Sequence, residues 1–144
     1  MSTESPAPPR PRIGCGAAIL DAEGRLLLVK RRRMPEAEHW GLPGGKLDWG
    51  ETARACVERE IAEELGIAIV AGQILCISDL IGEDHHWVAP VYRVDGFTGE
   101  PAIQEPDALA DWNWFGLDAL PEPVTQATKD AVQALMIERG RRPT

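Results

Sequence analysis

Three acidic side chains that could hold a metal ion stand within five positions near the middle of this 144-residue chain. They are Glu60, Glu63 and Glu64. Upstream, Thr52 offers a side-chain oxygen where a helix N-cap is expected, and Gly66 is a residue type that commonly ends a helix. The sequence therefore predicts a helix over residues 53–65, with the glutamates in its second half.

Two of these glutamates share one narrow stripe of the predicted helix. At about 100° per residue, Glu60 and Glu64 align with Ala53 and Val57, and the flanking positions are apolar, so the stripe should face the interior. Like charges four positions apart cost about 0.2–0.5 kcal/mol even in water, and loss of water raises that cost. A bound cation is the simplest compensation. Carboxylate oxygens favour a hard cation, Mg²⁺ first and Mn²⁺ second.

A glycine turn precedes the helix, where Gly44 and Gly45 would let the backbone approach a ligand closely. The spacing from this turn through the helix resembles the signature of the Nudix (MutT-like) hydrolases. The matching positions are Gly45, Glu51, Arg59, Glu60, Ile61, Glu63, Glu64, Gly66 and Ile67. Because nine specified positions match at fixed spacing, the resemblance is a specific one.

The resemblance implies an α/β fold in which a mixed β-sheet is sandwiched between helices, with the signature forming a loop–helix–loop. It implies that Glu60 and Glu64 are the principal metal ligands. Glu63 and the carbonyl of Gly44 or Gly45 are further ones. One of these carboxylates, or a glutamate from a later loop, would deprotonate the attacking water.

An ion pair and a distal acid are also implied by the resemblance. Glu51 and Arg59 would form a pair that orients the signature segment; the alternative is an exposed pair that contributes little. For the later acid, the sequence favours Glu105 as base or metal ligand, just before a Trp-rich strand. Glu100 and Asp107 are its alternatives, and a solvated acidic loop would need none of them.

Four further residues are candidates for substrate binding. Arg31 lies in the basic end of the second predicted strand, where it could contact a phosphate or simply be solvated. Trp40, His86 and Trp87 could line a nucleotide pocket, since bases stack well on tryptophan, although core packing is its commoner role.

Composition limits the classes of partner. A net charge of −8 argues against general binding to nucleic acid or an anionic membrane, but a metal ion can still attract a small phosphorylated substrate.

The three cysteines, Cys15, Cys56 and Cys76, follow no CxxC spacing, which favours reduced packing residues in a cytoplasmic protein. No apolar run approaches the length of a membrane span, and a homodimer is implied only by the resemblance.

The chain divides by composition into a Pro-rich, disordered tail over residues 1–11, one domain over 12–140 and a short tail over 141–144. Residues 13–20 and 25–32 read as strands of a hairpin, the second buried on both faces. Further elements are predicted from apolar patterning. They are strands at 46–48, 67–70, 74–81, 86–94 and 111–115, and a helix at 124–139.

The function expected from the resemblance is Mg²⁺-dependent hydrolysis of a nucleoside triphosphate, NTP or dNTP, oxidised forms included, to the monophosphate and pyrophosphate. The short domain, the Glu105 loop and the Trp-x-Trp strand resemble the MutT type. The alternative substrates are ADP-ribose, a nucleotide sugar or another compound linked through a nucleoside diphosphate. A catalytically silent nucleotide sensor is a more distant alternative, because such a module has no need of the full set of acids.

Overall fold

Three β-sheets, one of them a short two-stranded pair, and two helices build the part of the chain that the structure, a computed structural model, describes: residues 8–140. The strands are β1 (Arg12–Ile19), β2 (Leu26–Arg31), β3 (Trp40–Gly41), β4 (Gly44–Lys46), β5 (Ala68–Ile69), β6 (Ile74–Ile81), β7 (His86–Val94), β8 (Phe97–Thr98) and β9 (Leu109–Phe115). The helices are α1 (Ala53–Leu65) and α2 (Gln126–Gly140). Of the predicted tails, residues 1–7 and 141–144 lie outside the described residues, and residues 8–11 precede β1 as exposed chain.

The larger sheet has the strand order β4-β1-β7-β6 and is mixed, because β1 runs parallel to β7 while the other neighbours are antiparallel. The second sheet, β3-β2-β9, is antiparallel throughout. The short strands β5 and β8 form a separate pair. Helix α1 packs on β1 and β4, and α2 packs on β6.

Alternate residues of β1 and β2 enter two different cores. Ile19 and Leu27 pack with α1, whereas Ala18 and Leu28 pack with α2. Both strands are therefore covered on both faces, which accounts for their unbroken apolar runs. This layering, with helices on opposite sides of the sheets, confirms the predicted α/β class and the sandwich of sheet between helices.

The predicted hairpin is wrong, because β1 and β2 belong to different sheets and meet only at one bridge, between Leu20 and Leu26. Strands that are buried on both faces can pair with distant partners as well as with their neighbours, so the turn at residues 21–24 did not decide the pairing. Several boundaries also differ. The glycine turn itself forms β4, the segment at 67–70 keeps only two strand residues, β8 lies in a predicted loop, and α2 begins at Gln126.

Helix α1 has the predicted bounds. The Oγ1 of Thr52 accepts a hydrogen bond from the backbone N–H of Ala55 at 3.0 Å, and Gly66 ends the helix in the left-handed region with φ of 69°. Its buried face carries Val57, Ile61 and Glu64, so a carboxylate does lie among apolar side chains. Within residues 8–140, no helix is both long and apolar enough to cross a membrane.

Candidate active site

Glu64 is an acid placed inside the protein, with only 6% of its surface exposed. Burial raises the pKa of its carboxyl well above the ordinary value, and the nearby charge of Glu60 raises it further. A hydrogen bond from the Gly44 backbone offsets part of this rise. Burial also raises the pKa of Glu60, although its side chain is more open. Both carboxyls thus occupy a place that favours a compensating positive charge.

The glycines of β4 make this arrangement possible. A Cβ atom on Gly45 would lie 2.3 Å from the carboxyl group of Glu60, and one on Gly44 would lie 2.0 Å from the carbonyl oxygen of Cys15. Neither distance is sterically allowed, so only glycine lets this strand lie between β1 and the acidic end of α1. The glycines thus allow a close approach to Glu60 and to β1, and their predicted approach to a ligand stays a prediction.

The predicted ion pair between Glu51 and Arg59 is present. The Nε and Nη2 of Arg59 donate to the two carboxylate oxygens of Glu51 at 2.6 and 2.9 Å, a bidentate geometry. These bonds lower the pKa of Glu51 to about 2. The pair connects the loop before α1 to the middle of the helix.

Arg59 also binds two members of the acidic cluster. Its Nη1 donates to Glu60 Oε1 at 3.0 Å and to Glu63 Oε2 at 3.1 Å. One guanidinium therefore positions three carboxylates, and it partly neutralises the charge that α1 carries. Glu63 lies at the rim, with 49% of its side chain exposed.

Glu105 lies in the exposed loop before β9, yet its charge raises the pKa values of both Glu60 and Glu64. Its backbone carbonyl accepts hydrogen bonds from Ala108 and Leu109 at 3.0 Å, and these bonds fix the loop at the start of the strand. Glu105 is therefore near enough to Glu60 and Glu64 for its charge to act on them, and its role as a base or metal ligand stays a prediction.

The residues present fit a hard divalent cation. Mg²⁺ usually takes one or two carboxylates, several waters and substrate oxygens, and Glu60 and Glu64 supply the carboxylates. Across residues 8–140, no group of three or more His, Cys, Asp or Glu side chains is arranged so that it could hold a metal ion, so the predicted ligands Glu60, Glu63 and Glu64 do not converge as a set of three. Glu60 and Glu64 would need oxygens from water or phosphate to complete the coordination of an ion.

A cavity of about 240 Å³ opens on the other side of the glycine strand, with Gly44 and Gly45 in its wall. Arg31 and Trp87, two of the predicted substrate-binding residues, also line it. Arg31 is held by a hydrogen bond from its Nε to the carbonyl of Pro35 at 3.1 Å. Burial lowers the pKa of Arg31, and the nearby charges of Glu36 and Glu64 act in the opposite direction.

Trp40 and His86 lie elsewhere. Trp40 packs edge-to-face against Phe115, with ring centroids 5.1 Å apart, because its strand joins the second sheet beneath α2. His86 lines a second cavity, of about 410 Å³, at the β6–β7 turn and does not line the first. Trp87 lines both cavities. We therefore retain Trp87 and not these two as a substrate-binding candidate.

Other residues of the cavity wall were missed from the sequence. The loop residue Glu36 and the β1 residues Gly14 and Gly16 line it beside Leu42. The alternation of glycines in β1 was a usable signal, since glycine in a strand often marks the close approach of a ligand. Nothing local marks Glu36, because a long-range contact brings its loop to the cavity.

The fold and the site together describe an α/β protein in which a pair of partly or fully buried glutamates lies beside a small cavity. The profile of the NUDIX domain matches residues 10–135, and the chain belongs to the Nudix hydrolase family. Nudix hydrolases generally use a divalent metal ion and act on small-molecule nucleotide substrates.

Several known proteins resemble this chain. The crystal structure of a MutT NUDIX hydrolase from Burkholderia pseudomallei has a TM-score of 0.85 and 52% identity, over 88% of this chain and 99% of that one. The CTP pyrophosphohydrolase of Escherichia coli (strain K12) is 31% identical over 88% of this chain and 93% of its own length. The putative 8-oxo-dGTP diphosphatase 2 of Mycobacterium tuberculosis is 40% identical over 58% of this chain. That match spans only 61% of the M. tuberculosis protein.

Proposed function

We propose that this protein hydrolyses a nucleoside triphosphate, NTP or dNTP and oxidised forms included, to the monophosphate and pyrophosphate with Mg²⁺. Mn²⁺ is the expected substitute. The observation that carries the proposal is the buried Glu64 beside Glu60, separated from a small cavity only by the glycine strand β4. The names of the M. tuberculosis and E. coli relatives, a diphosphatase and a pyrophosphohydrolase of nucleoside triphosphates, support this substrate class.

Within this proposal the metal ligands come from two elements. Glu60 and Glu64 of α1 would hold the ion, with Glu63 at the rim and a carbonyl of Gly44 or Gly45 from β4. When bound there, Mg²⁺ neutralises charge on the phosphate oxygens and makes a bound water more acidic. Phosphoryl transfer needs chiefly positioning and charge stabilisation, which such a site supplies.

The remaining roles belong to side chains around the ligands. Glu105, exposed and close to Glu60 and Glu64, would accept the proton of the attacking water or add a further metal contact. Arg31 would contact a phosphate from the cavity side. Arg59, bound to Glu51, is a positioning residue that fixes the orientation of the Glu60 and Glu63 carboxylates.

A panel of substrates tests the proposal. Purified protein with Mg²⁺ is given canonical and oxidised dNTPs, NTPs, ADP-ribose, nucleotide sugars and dinucleoside polyphosphates, and pyrophosphate and monophosphate are measured. We expect the highest kcat/KM with a triphosphate. A strong preference for ADP-ribose or another diphosphate-linked compound over every triphosphate would contradict the proposal and favour the alternative substrate class.

Two sets of variants locate the chemistry. Glu64→Gln should lower turnover at least a hundredfold, whereas Glu83→Gln in the distant β6–β7 turn should not change it. Glu105→Gln should slow hydrolysis at least tenfold, with Glu100→Gln and Asp107→Asn as matched comparisons from the same acidic segment. If Glu105→Gln hydrolyses its substrate at the wild-type rate, Glu105 takes no part in hydrolysis and is only a solvated residue of the loop.

A further inference from the structure

The floor of the cavity is made of backbone and very small side chains. Gly14 and Gly16 of β1 and Ala89 of β7 line it, and Trp87 stands at one end. A Cβ atom on Gly16 would make ordinary contacts, 3.7 Å from side-chain atoms of Leu42 and Val91, so packing does not require glycine there. Packing does favour glycine at position 14, where a Cβ would lie 3.0 Å from the carbonyl oxygen of Gly45. Both glycines leave the backbone of β1 in the wall of the cavity.

The size of the cavity limits what can lie against that wall. A volume of about 240 Å³ lies below the roughly 300–1,000 Å³ of typical ligand pockets, so the cavity accommodates one part of a nucleotide and not the whole molecule. If the phosphates of a nucleoside triphosphate extend toward Glu60, its base can occupy the cavity on the other side of β4.

A single carboxylate faces this space. Among the described residues that line the cavity, Glu36 is the only Asp or Glu. Its Oε2 accepts a hydrogen bond of 2.8 Å from the backbone N–H of Gln126, the first residue of α2. Its backbone has φ of 58°, a left-handed conformation that is unfavourable for a non-glycine residue. The tertiary contact with α2 therefore holds this side chain at the cavity despite a local cost.

Glu36 retains the capacity to bind a ligand. An ionised carboxylate offers about four lone-pair sites and no donor, so one bond to Gln126 leaves both oxygens able to accept. A base that hydrogen-bonds to the Glu36 carboxylate must therefore present N–H donors along one edge. The Watson–Crick edge of guanine places two such donors side by side, N1–H and N2–H, whereas adenine, cytosine, thymine and uracil place an acceptor next to each donor.

We propose that Glu36 selects a guanine-type base, with its carboxylate accepting N1–H and N2–H of that base while the ring lies on the β1 glycines. This inference rests on the proposed hydrolysis of nucleoside triphosphates and names the base that the site takes. Oxidation of guanine at C8 leaves the same edge unchanged, so both guanine and 8-oxoguanine nucleotides satisfy Glu36.

The test pairs a change in the protein with a change in the substrate. Inosine lacks the 2-amino group of guanine, so kcat/KM is measured for dGTP, dITP and dATP with the wild type, Glu36→Gln and Glu38→Gln. Glu38 is the matched control, since it lies in the same loop, also has positive φ, and directs its carboxylate at Lys30 outside the cavity. The amide oxygen of Gln can still accept from Gln126.

We expect the wild type and Glu38→Gln to prefer dGTP over dITP about tenfold or more, the effect of one hydrogen bond to a charged group. In Glu36→Gln the preference should fall below about threefold. If Glu36→Gln lowers kcat/KM for dGTP and dITP by the same factor, the residue only shapes the loop and the assignment is wrong. Equal rates of the wild type with dGTP, dITP and dATP would also overturn it, and the proposed hydrolysis would stand.

Binding without turnover separates the two proposals. Dissociation constants of GMP, IMP and AMP are measured by calorimetry with the wild-type protein, so neither catalysis nor a folded variant is needed. Tighter binding of GMP than of IMP and AMP supports the base assignment even if no triphosphate is hydrolysed, a result that would refute only the proposed function. Equal binding of the three monophosphates counts against Glu36 as the base-selecting residue.

Discussion

At the scale of single residues, Glu64 is the strongest argument for the proposed cation site. A carboxylate that is 6% exposed, beside a second carboxylate, opposes folding unless it is protonated or a positive charge joins it. The hydrogen bonds of Arg59 to carboxylates go to Glu51, Glu60 and Glu63, and the nearby charge of Arg31 offsets only part of the rise in the pKa of Glu64. The proposed metal ion would supply the remaining positive charge.

This cost predicts how Glu64→Gln changes stability. In metal-free protein the variant should be more stable than the wild type by roughly 1–3 kcal/mol at pH 8. Because folding raises the pKa of Glu64 from 4.5, the difference should be absent below pH 4.5 and grow as the pH rises through the raised pKa. Denaturant unfolding in EDTA measures it. Adding Mg²⁺ should then stabilise only the wild type, and equal stabilisation of both proteins would contradict the assignment.

The pair of Glu51 and Arg59 predicts that stability also depends on pH, with the opposite sign to the effect of Glu64: the charged form of Glu51 stabilises the fold. Folding lowers the pKa of Glu51 from 4.5 to about 2, so the stabilisation from its charged form is complete above pH 4.5 and is lost as the pH falls toward 2. The wild type should therefore unfold at higher denaturant than Glu51→Gln near neutral pH, and the gap should close across that acidic range. A gap that stays constant from pH 6 to pH 2.5 would show that the ion pair does not stabilise the fold.

At the scale of elements, the contact of β4 with α1 decides whether the site exists. The strand pairs with β1 through Gly44 and Gly45, and its far side meets the Glu60 carboxyl group. A strand with any side chain at these positions would push the acidic half of the helix away. The two elements therefore work as one unit, in which the glycines set the distance and the helix supplies the charge.

Gly45→Ala tests this unit. The new Cβ would lie 2.3 Å from the Glu60 carboxyl group, so we expect the carboxylate to be displaced and turnover with Mg²⁺ to fall at least tenfold, while circular dichroism shows a retained fold. Gly96→Ala is the matched control, because a Cβ there has no neighbour within 4 Å. Turnover equal to that of the control would show that the close approach is dispensable.

At the scale of the whole molecule, the two cores lie on opposite sides of the same strands. Cys15 and Cys56 belong to the core beneath α1, with Sγ atoms 3.0 Å apart, and Cys76 packs against the core beneath α2. All three are free thiols. Because β1 and β2 contribute to both cores, loss of one core should remove the support of the other.

Thiol labelling measures this coupling. Burial raises the pKa of each cysteine, so little thiolate exists near neutral pH in the folded protein. We expect Cys15 and Cys56 to react with iodoacetamide only through global unfolding, with a dependence on denaturant equal to that of the equilibrium unfolding transition. Rapid labelling of Cys56 in native buffer would reveal a local opening of α1. It would show that the two cores unfold independently of each other.

The sequence pattern was sufficient to predict those helices and strands whose bounds depend on neighbouring residues in the chain. The bounds of α1 follow from the Thr52 cap and Gly66, and the alternation of small and apolar residues predicts most of β6, β7 and β9. The metal chemistry is local as well, since Glu60 and Glu64 lie one helical turn apart and their spacing alone places them on one face. The pair of Glu51 and Arg59 was found by resemblance at fixed spacing.

Strand pairing and the pocket were decided only by the tertiary structure. Continuous apolar runs such as Leu26–Val29 are buried on both faces and do not specify a partner, so the hairpin was predicted where two sheets exist. The cavity joins β1, β7, the loop at Glu36 and the start of α2, segments up to about a hundred residues apart, and no local pattern records which of them meet. The prediction of a hard divalent cation and of pyrophosphate hydrolysis could be made from the sequence, because it needs only one helix and the loop before it. The place of the base depended on four segments meeting in space, and only folding brings them together.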